Sequence, residues 1–275
     1  MSSAAGRRLG ALLAVPAVAF LAAFFVGPLL LALAESLGLT RGATGTGHYA
    51  RIFGDTYYLE VMRDTVLLAA GVTGAALVVG YPYALILARA RGAAKAALLF
   101  LLVAPLLVTV VVRTFGWMIV FGRRGLVNAA LGALGLPALD ILNSWTAIAV
   151  ALVHVLLPFM VLSIASTLES LDPAFEEAAA TLGAPPWRQF LHVVAPLSRD
   201  GAVAGSILVF ALAIGSFVTV MVMGDNRTMV LPLLVYQQLT VASDWPFAAA
   251  LGMVLLAIVL AVFWLQARIA RRAAA

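Results

Sequence analysis

Six apolar segments, each long enough to cross a lipid bilayer, limit the folds that are open to this chain. A membrane-spanning helix needs roughly 20 mostly apolar residues, because its backbone polar groups must all be bonded within the helix. Arg113 and His154 are the only Asp, Glu, Lys, Arg or His residues inside these segments. The segments cover about residues 11–34, 65–88, 96–118, 146–167, 201–223 and 247–267. We therefore predict an all-α polytopic membrane protein with six transmembrane helices.

The composition supports a lipid-embedded chain and excludes several other classes of protein. Hydrophobic residues make up 64% of the sequence and charged residues 11%, whereas a soluble domain carries about a quarter charged residues. The sequence pI is about 10.1, but the basic residues stand at the ends of apolar runs, which is typical of membrane flanks rather than of a nucleic-acid surface. The absence of Cys excludes disulfides and a thiolate nucleophile, and the three His are too scattered for a metal site.

The Lys and Arg residues predict the orientation of the spans. If both termini lie on one side, that side carries ten basic residues, and the opposite side carries six in longer loops. The short loop with Arg89, Arg91 and Lys95 is the most decisive, so both termini are expected to be cytoplasmic. Gly27 and Pro28 interrupt an N-terminal apolar run that exceeds a signal-peptide core, so we expect a retained first helix.

One polar segment, LDPAFEEAAATLGAPPWRQFLHVVAPL at residues 171–197, stands out in this apolar chain. Asp172 followed by Pro173 predicts an N-cap and a first helical residue, since the missing proline N–H has no cost there. Glu176 and Glu177 follow near the helix N-terminus, where the backbone dipoles favour negative charge. The segment therefore begins with a short, well-capped helix.

The second half of the segment predicts another short helix. Gly183 can adopt the left-handed conformation that ends a helix, and the two prolines that follow at 185–186 block continuation. A helix from Trp187 to about Val194 is then expected to end at Pro196. Helices this short need something to pack on. Either they lie on the helix ends of their own chain, or they present an anchor to a partner, formed by Phe175, Leu182, Trp187 and Phe190.

This segment resembles the EAA loop of the membrane permease subunits of ABC importers. That loop reads Glu-Ala-Ala, three residues, Gly, nine residues, then an aliphatic, any residue, an aliphatic and Pro. The corresponding residues here are Glu177, Ala178, Ala179, Gly183, Val193, Ala195 and Pro196, with Ala195 where Leu is usual. The resemblance implies a coupling helix that docks in a groove of an ATPase subunit. The residues expected to form the ATPase-coupling loop are Glu176, Glu177, Ala178, Ala179, Gly183, Trp187 and Pro196.

The chain has no phosphate-binding loop of its own, since its only lysine, Lys95, does not follow Gly. We therefore expect a transport subunit rather than an enzyme, with no cofactor in this chain and with ATP and Mg bound by a partner ATPase. The resemblance implies the other partners: a second permease, giving a heterodimer, two ATPase subunits and an extracytoplasmic solute-binding protein. It also implies two parts of the chain, residues 1–64 with the first helix and residues 65–275 as the permease core, with the coupling loop at 168–200.

Four stretches resemble the spermidine/putrescine permeases in particular. They are YPYALILAR at 81–89, PLLVTVVVRTFGWMIVFGRRGLVN at 105–128, LLPFMVLSIASTLESLDP at 156–173 and VYQQLTVASDWPFAAAL at 235–251. MVLPLL at 229–234 departs from the usual Gly-Asn of that family. The resemblance implies a polyamine as the solute, and ferric iron, phosphonate or another small solute remains the alternative. A secondary transporter driven by an ion gradient is less consistent, because such proteins usually keep carboxylates at mid-membrane. A membrane-embedded enzyme would need a catalytic constellation, and none is visible.

Several residues are candidates for the solute path or gate. Arg113 lies near the outer end of the third span, where a structural or gating role is favoured over contact with a cationic solute. His154 either bonds a neighbouring helix or lines the path. Ser216 and Thr219 are three residues apart on the fifth span and are expected to share a face, where they either line a pathway or bond carbonyls of their own helix.

The last span brings three more candidates. Asp244 is expected to cap this span, with Trp245 in its first turn at the membrane interface; contact with solute or binding protein is the alternative. Tyr236 is expected in the interfacial belt or at the gate. It belongs to TMVLPLLVYQQL at 228–239, which is too short to span the membrane and too apolar for a loose loop. We predict a re-entrant or interfacial segment there.

Overall fold

The computed structural model describes residues 3–39, 46–225 and 227–272, and no strand occurs among them. The described chain is helical almost throughout, as the apolar segments predict. The α-helices, in chain order, are α1 (Ser3–Ser36), α2 (Gly47–Gly54), α3 (Thr56–Arg89), α4 (Gly92–Val103), α5 (Val110–Phe121), α6 (Leu126–Ala133), α7 (Trp145–Glu169), α8 (Ala174–Thr181), α9 (Pro186–Gln189), α10 (Ala195–Leu197), α11 (Arg199–Ile214), α12 (Val218–Met223), α13 (Leu231–Thr240) and α14 (Trp245–Arg272).

Within the described residues, four helices are long and apolar enough to cross a membrane: Val18–Ser36, Thr56–Arg89, Trp145–Glu169 and Trp245–Gln266. Two bent pairs add a further candidate each, Gly92–Leu107 with Val110–Ala133 and Pro186–Leu197 with Arg199–Ile214. Counting each pair once gives six candidates, the number predicted, but the second pair begins before the predicted fifth span of 201–223 and does not include α12. Exposed apolar side chains such as Phe24, Val78 and Trp264 cover these helices, which is the surface that lipid requires.

The predicted third and fifth spans are not continuous helices, which corrects the sequence interpretation. After α4 a 3₁₀ turn, Ala104–Leu107, leads into a bend of 101°, and α5 starts afresh behind the Thr109 cap. The fifth apolar run contains α11 and α12, which are separated at Gly215. Apolar composition marks membrane depth but does not specify where a helix bends, so hydropathy alone merges such pieces.

The structure divides into two compact units. The first comprises the described parts of Met1–Leu59 and Leu234–Ala257. Its core lies around Phe247, which is fully buried: the Tyr58 ring meets it edge-on at 5.4 Å, and the Arg51 guanidinium carbon lies 4.5 Å from its ring centre. A hydrogen bond of 2.8 Å between the Ser36 and Tyr49 hydroxyls joins the end of α1 to α2.

The second unit comprises the described parts of Glu60–Leu233 and Ile258–Ala275, and α7 packed on α11 forms its centre. Close approach depends on small residues. A Cβ atom added at Gly201 would lie 2.7 Å from the Ser163 carbonyl oxygen, and one at Gly205 would lie 2.9 Å from the Met160 sulfur. The Ser163 hydroxyl donates to the Gly201 carbonyl at 2.8 Å. The Gly-xxx-Gly pair thus allows two membrane helices to touch, as small residues generally do.

The apolar segment at 228–239 is mostly the helix α13. The Leu231 N–H at its start donates to the buried Thr65 hydroxyl of α3 at 2.8 Å, so Thr65 satisfies one of the free N–H groups of the first turn. Val230, Leu231 and Leu233 are buried. Packing within the protein therefore accounts for the apolar character of this segment. Its depth in the membrane stays a prediction.

Candidate functional site: the EAA segment

We call residues 171–197 the EAA segment. Its first helix, α8, begins one residue later than predicted, with Pro173 in the N-cap position rather than the first helical one. The Asp172 carboxylate nevertheless caps it, accepting a hydrogen bond from the Ala174 N–H at 2.9 Å. Glu176 and Glu177 both lie in the first turn, as predicted. Their charges therefore face the positive end of the helix dipole, which strengthens the start of a helix only eight residues long.

The turn after α8 depends on Gly183, whose φ is +78°. Its N–H bonds to the Ala180 carbonyl and the next N–H, of Ala184, bonds to the Ala179 carbonyl, so the open carbonyls at the helix end are satisfied. The Gln189 amide then donates to the Ala184 carbonyl at 2.7 Å and ties the turn to α9. Gly183 therefore ends the first helix as the sequence predicted.

The predicted end of the second helix at Pro196 is wrong. Helical structure starts at Pro186 and continues through a π-helical turn, Phe190–Val194, into Ala195–Leu197. In that turn the Ala195 N–H bonds to the carbonyl five residues back, at Phe190. The wider turn changes the spacing of the hydrogen bonds just before Pro196, and the chain keeps helical geometry past the proline.

The apolar side chains of the EAA segment divide into two groups. Leu182 is 88% exposed, Trp187 57% and Phe175 55%, which is unusual for large apolar residues on a polar segment. Phe190 is half-buried and meets the Tyr81 ring of α3 edge-on at 5.2 Å. Phe190 thus packs on the chain itself, whereas the other three lie open, and their contact with a partner stays a prediction.

Two ion pairs join the EAA segment and the end of α7 to the corner between α3 and α4. Arg89 Nη2 lies 2.6 Å from Glu176 Oε2, and Lys95 Nζ lies 3.0 Å from Glu169 Oε1. Glu177 is exposed. The two adjacent glutamates therefore differ in surroundings: Glu176 is held by the chain's own arginine, and the carboxylate of the EAA motif faces outward.

The candidates His154, Arg113 and Thr219 lie on α7, α5 and α12, and α12 packs against the other two helices. Trp117 Nε1 donates to His154 Nδ1 at 3.4 Å, and their rings meet edge-on at 5.5 Å. His154 thus bonds a neighbouring helix. Arg113 Nε and Nη1 are buried, and no described residue accepts from them. Thr219 is buried, at 3% exposure.

Ser216 does not share a helix face with Thr219. It lies in the break between α11 and α12, and its hydroxyl donates to the Leu212 carbonyl at 2.8 Å. The spacing of three residues predicts a common face only when the helix is continuous, and Gly215 ends α11 before Ser216. The Ser216 hydroxyl thus bonds a carbonyl of α11, which is one of the two expectations for it, and a role of Ser216 or Thr219 in the solute path stays a prediction.

Asp244, Trp245 and Tyr236 belong to the first unit. The Asp244 carboxylate accepts from the Phe247 N–H at 3.2 Å and so caps α14, as predicted. Trp245 is 59% exposed and, with Glu35, borders an apolar cavity of about 630 Å³. Tyr236 stands on α13 and is 39% exposed. The cap is thus present, and a contact of Asp244 with solute or binding protein stays a prediction.

Sequence reasoning missed the polar side chains that fix the loops of the second unit. The buried Asn128 amide donates to the Gly122 and Leu139 carbonyls at 3.1 and 3.0 Å, and its oxygen accepts from the Leu139 N–H at 2.8 Å. The Tyr81 and Ser198 hydroxyls are also hydrogen-bonded, across 117 residues of sequence. The only sequence signal for the Asn128 bonds was a lone Asn after a Gly-rich turn. No sequence signal indicated the Tyr81–Ser198 bond.

The helical architecture, the bent membrane segments and the EAA segment together define a permease of the ABC importer class. Residues 80–275 match the family described as the binding-protein-dependent transport system inner membrane component. The chain belongs to that family.

Two permeases of known transport systems and one solved transporter are similar to this chain. The spermidine/putrescine transport system permease protein PotB of Escherichia coli strain K12 is 34% identical over 227 residues, covering 81% of this chain and 82% of the relative. The molybdenum transport system permease protein ModB of Mycobacterium tuberculosis is 35% identical over 196 residues, covering 70% and 73%. Among solved structures, a bacterial alginate ABC transporter in complex with an alginate-loaded periplasmic protein shares the fold, with a TM-score of 0.78, 17% identity and coverage of 96% and 94%.

Proposed function

We propose that this chain is the permease subunit of an ATP-driven importer that moves a polyamine across the bacterial inner membrane. The EAA segment carries the proposal: it is a capped helix pair that leaves Leu182, Trp187 and Phe175 uncovered. Fixing three apolar side chains in an open position is unfavourable in water unless another surface covers them. An ATPase subunit is the partner that the EAA motif indicates. That subunit would bind ATP and Mg and hydrolyse the ATP.

The expected assembly has two permeases, two ATPases and a solute-binding protein. The alginate transporter was solved in complex with a periplasmic protein that carries an alginate pentasaccharide. For this chain we infer an equivalent arrangement, with a second and different permease completing the path. Basic residues favour the side with the EAA segment as the cytoplasmic one, which gives cytoplasmic termini and an extracytoplasmic docking face.

The mechanism follows from the position of α8. Closure of the ATPases on ATP would displace the exposed face of the EAA segment, and the attached helices would move with it. The bend between α4 and α5 and the break between α11 and α12 are places where we expect helices to pivot. Such a device has two states, inward-open and outward-open, and nucleotide and loaded binding protein shift the balance between them.

A polyamine is the solute best supported by the relatives, because PotB matches over four fifths of the chain at 34% identity. ModB, named for molybdenum transport, matches a shorter part. The exposed acidic residues Asp55, Glu60 and Asp225 lie on the expected outer side, which suits a cationic solute. Another small solute of the same importer class remains the second candidate.

Uptake of labelled spermidine into proteoliposomes tests this proposal. The chain would be reconstituted with its partner permease and ATPase, and the loaded binding protein would be added outside. We expect uptake that requires internal ATP, persists with a protonophore, and resists competition by molybdate. ATP-driven uptake of molybdate but not of spermidine would overturn the polyamine assignment. Uptake abolished by the protonophore with ATP present would overturn the ATP-driven mechanism in favour of a secondary transporter.

A further inference from the structure

The backbone turns between α3 and α4 at Gly92, and we call this turn the corner. Arg89 is the last residue of α3, and Gly92 begins α4 with a φ of +58°, a left-handed conformation that glycine adopts without strain. No heavy atom lies within 4 Å of the place where a Cβ of Gly92 would stand, so the backbone angle and not crowding is what requires glycine here. The corner is therefore a tight turn, and its geometry sets the position of Arg89 relative to Lys95.

These two basic residues reach different parts of the same neighbouring region. Arg89 binds Glu176 on α8 at 2.6 Å, and Lys95 binds Glu169 at the end of α7 at 3.0 Å. Glu169 precedes the EAA segment, and Glu176 lies inside it. A cleft of about 450 Å³ that includes Leu85, Pro173 and the Glu176 side chain lies between these elements. The corner thus contacts both sides of the connection between α7 and α8.

The far end of the EAA segment contacts the same helix. Tyr81, two turns before Arg89 on α3, meets the Phe190 ring edge-on and shares a hydrogen bond with the buried Ser198 hydroxyl. Ser198 also donates to the Val194 carbonyl at 2.7 Å. Both halves of the EAA segment are therefore attached to α3, although the chain connects them directly only to α7 and α11.

We propose that α3 and its corner form a strut that carries the movement of the EAA segment to the α3–α4 pair, with Arg89 and Lys95 as positioning residues. This inference rests on the proposed coupling function. Exposed ion pairs add little to stability, and the Arg89 side chain is 61% exposed. The Arg89–Glu176 pair instead selects one orientation of α8, and the Lys95–Glu169 pair holds the end of α7 that leads into it. Without them, a push on α8 can rotate the short helix about the Pro173 and Gly183 turns instead of moving α3.

Charge reversal and charge exchange test the strut. Arg89→Glu and Glu176→Arg would each place like charges together, and the double variant would restore an opposite pair. We expect each single variant to transport about threefold to tenfold less solute per ATP hydrolysed, with ATP hydrolysis retained, and the double variant to recover most of that ratio. Arg91→Glu is the matched control, since Arg91 lies on the same corner and forms no ion pair with a described residue.

A second pair repeats the test away from the exposed face of α8. Lys95→Glu, Glu169→Lys and their combination should show the same loss and recovery. Cross-linking through Leu182→Cys separates this inference from docking: the ATPase should be captured in every variant. Normal transport per ATP in the single variants, or no recovery in the double ones, would overturn the strut. Failure to capture the ATPase with the otherwise unaltered chain would overturn the docking proposal itself.

Discussion

Gly183 combines a left-handed backbone with open space around it. Its φ is +78°, and no heavy atom lies within 4 Å of the position a Cβ would take. A side chain substituted at Gly183 would strain the backbone but would not clash with any neighbouring atom. The residue fixes the angle between α8 and α9, so strain at Gly183 changes how Leu182 and Trp187 are presented. The EAA motif contains a glycine at this position for a conformational reason.

Gly183→Ala should therefore weaken coupling, with a strain of about 1–2 kcal/mol in the turn. Gly183→Asn should be milder, because Asn tolerates the left-handed region. The measurement is solute uptake per ATP hydrolysed in the reconstituted importer, with the amount of folded permease checked by gel filtration in detergent. Equal losses for Ala and Asn would contradict this account of the glycine.

Asp244 offers a residue-level test of cap against solute contact. The carboxylate accepts from the Phe247 N–H, a bond that an amide oxygen can also accept. Asp244→Asn should keep both thermal stability and uptake, whereas Asp244→Ala should lower stability by about 1 kcal/mol. Thermal unfolding in detergent and uptake of labelled spermidine give the two readouts. A stable Asp244→Asn variant that no longer transports would assign the negative charge to solute recognition.

At the scale of helices, the contact between α7 and α11 is the most sensitive to volume. Gly201→Ala would force a methyl group to within 2.7 Å of the Ser163 carbonyl and should cost about 1–3 kcal/mol. Gly74→Ala on α3 is the matched control, since nothing lies within 4 Å of its Cβ position and alanine favours a helix. Thermal unfolding should show a loss for the first variant only. A similar loss for both would mean that close helix approach is not what Gly201 provides.

At this scale, local features of the helices were predictable from the sequence, whereas their bends and long-range contacts were not. The positions of the spans, the Asp172 cap and the Gly183 turn were predictable, because hydrophobic length and local hydrogen bonding determine them. The bend after Leu107 and the break at Gly215 were not, since apolar composition is the same on both sides. The Arg89–Glu176 pair joins residues 87 positions apart, and only the packing of the helices brings them together.

The whole molecule is a membrane permease whose proposed source of energy lies in another subunit. Its membrane segments carry Arg113 and His154 but no carboxylate at mid-span, which suits a path driven by a partner rather than by an ion gradient. Its EAA segment exposes five large apolar side chains: Phe175, Leu182, Trp187, Leu191 and Leu197. The central claim is that an ATPase covers this surface in the assembled importer.

Site-specific cross-linking measures that claim directly, and the chain contains no cysteine, so each single-cysteine variant has one reactive thiol. Leu182→Cys, at the most exposed apolar residue of the EAA segment, should capture the ATPase subunit in native membranes, more strongly with ATP bound. Val78→Cys on the exposed middle of α3 should not, since lipid is expected there. Capture through residue 182 supports the coupling mechanism. Equal or absent capture at the two positions would contradict it.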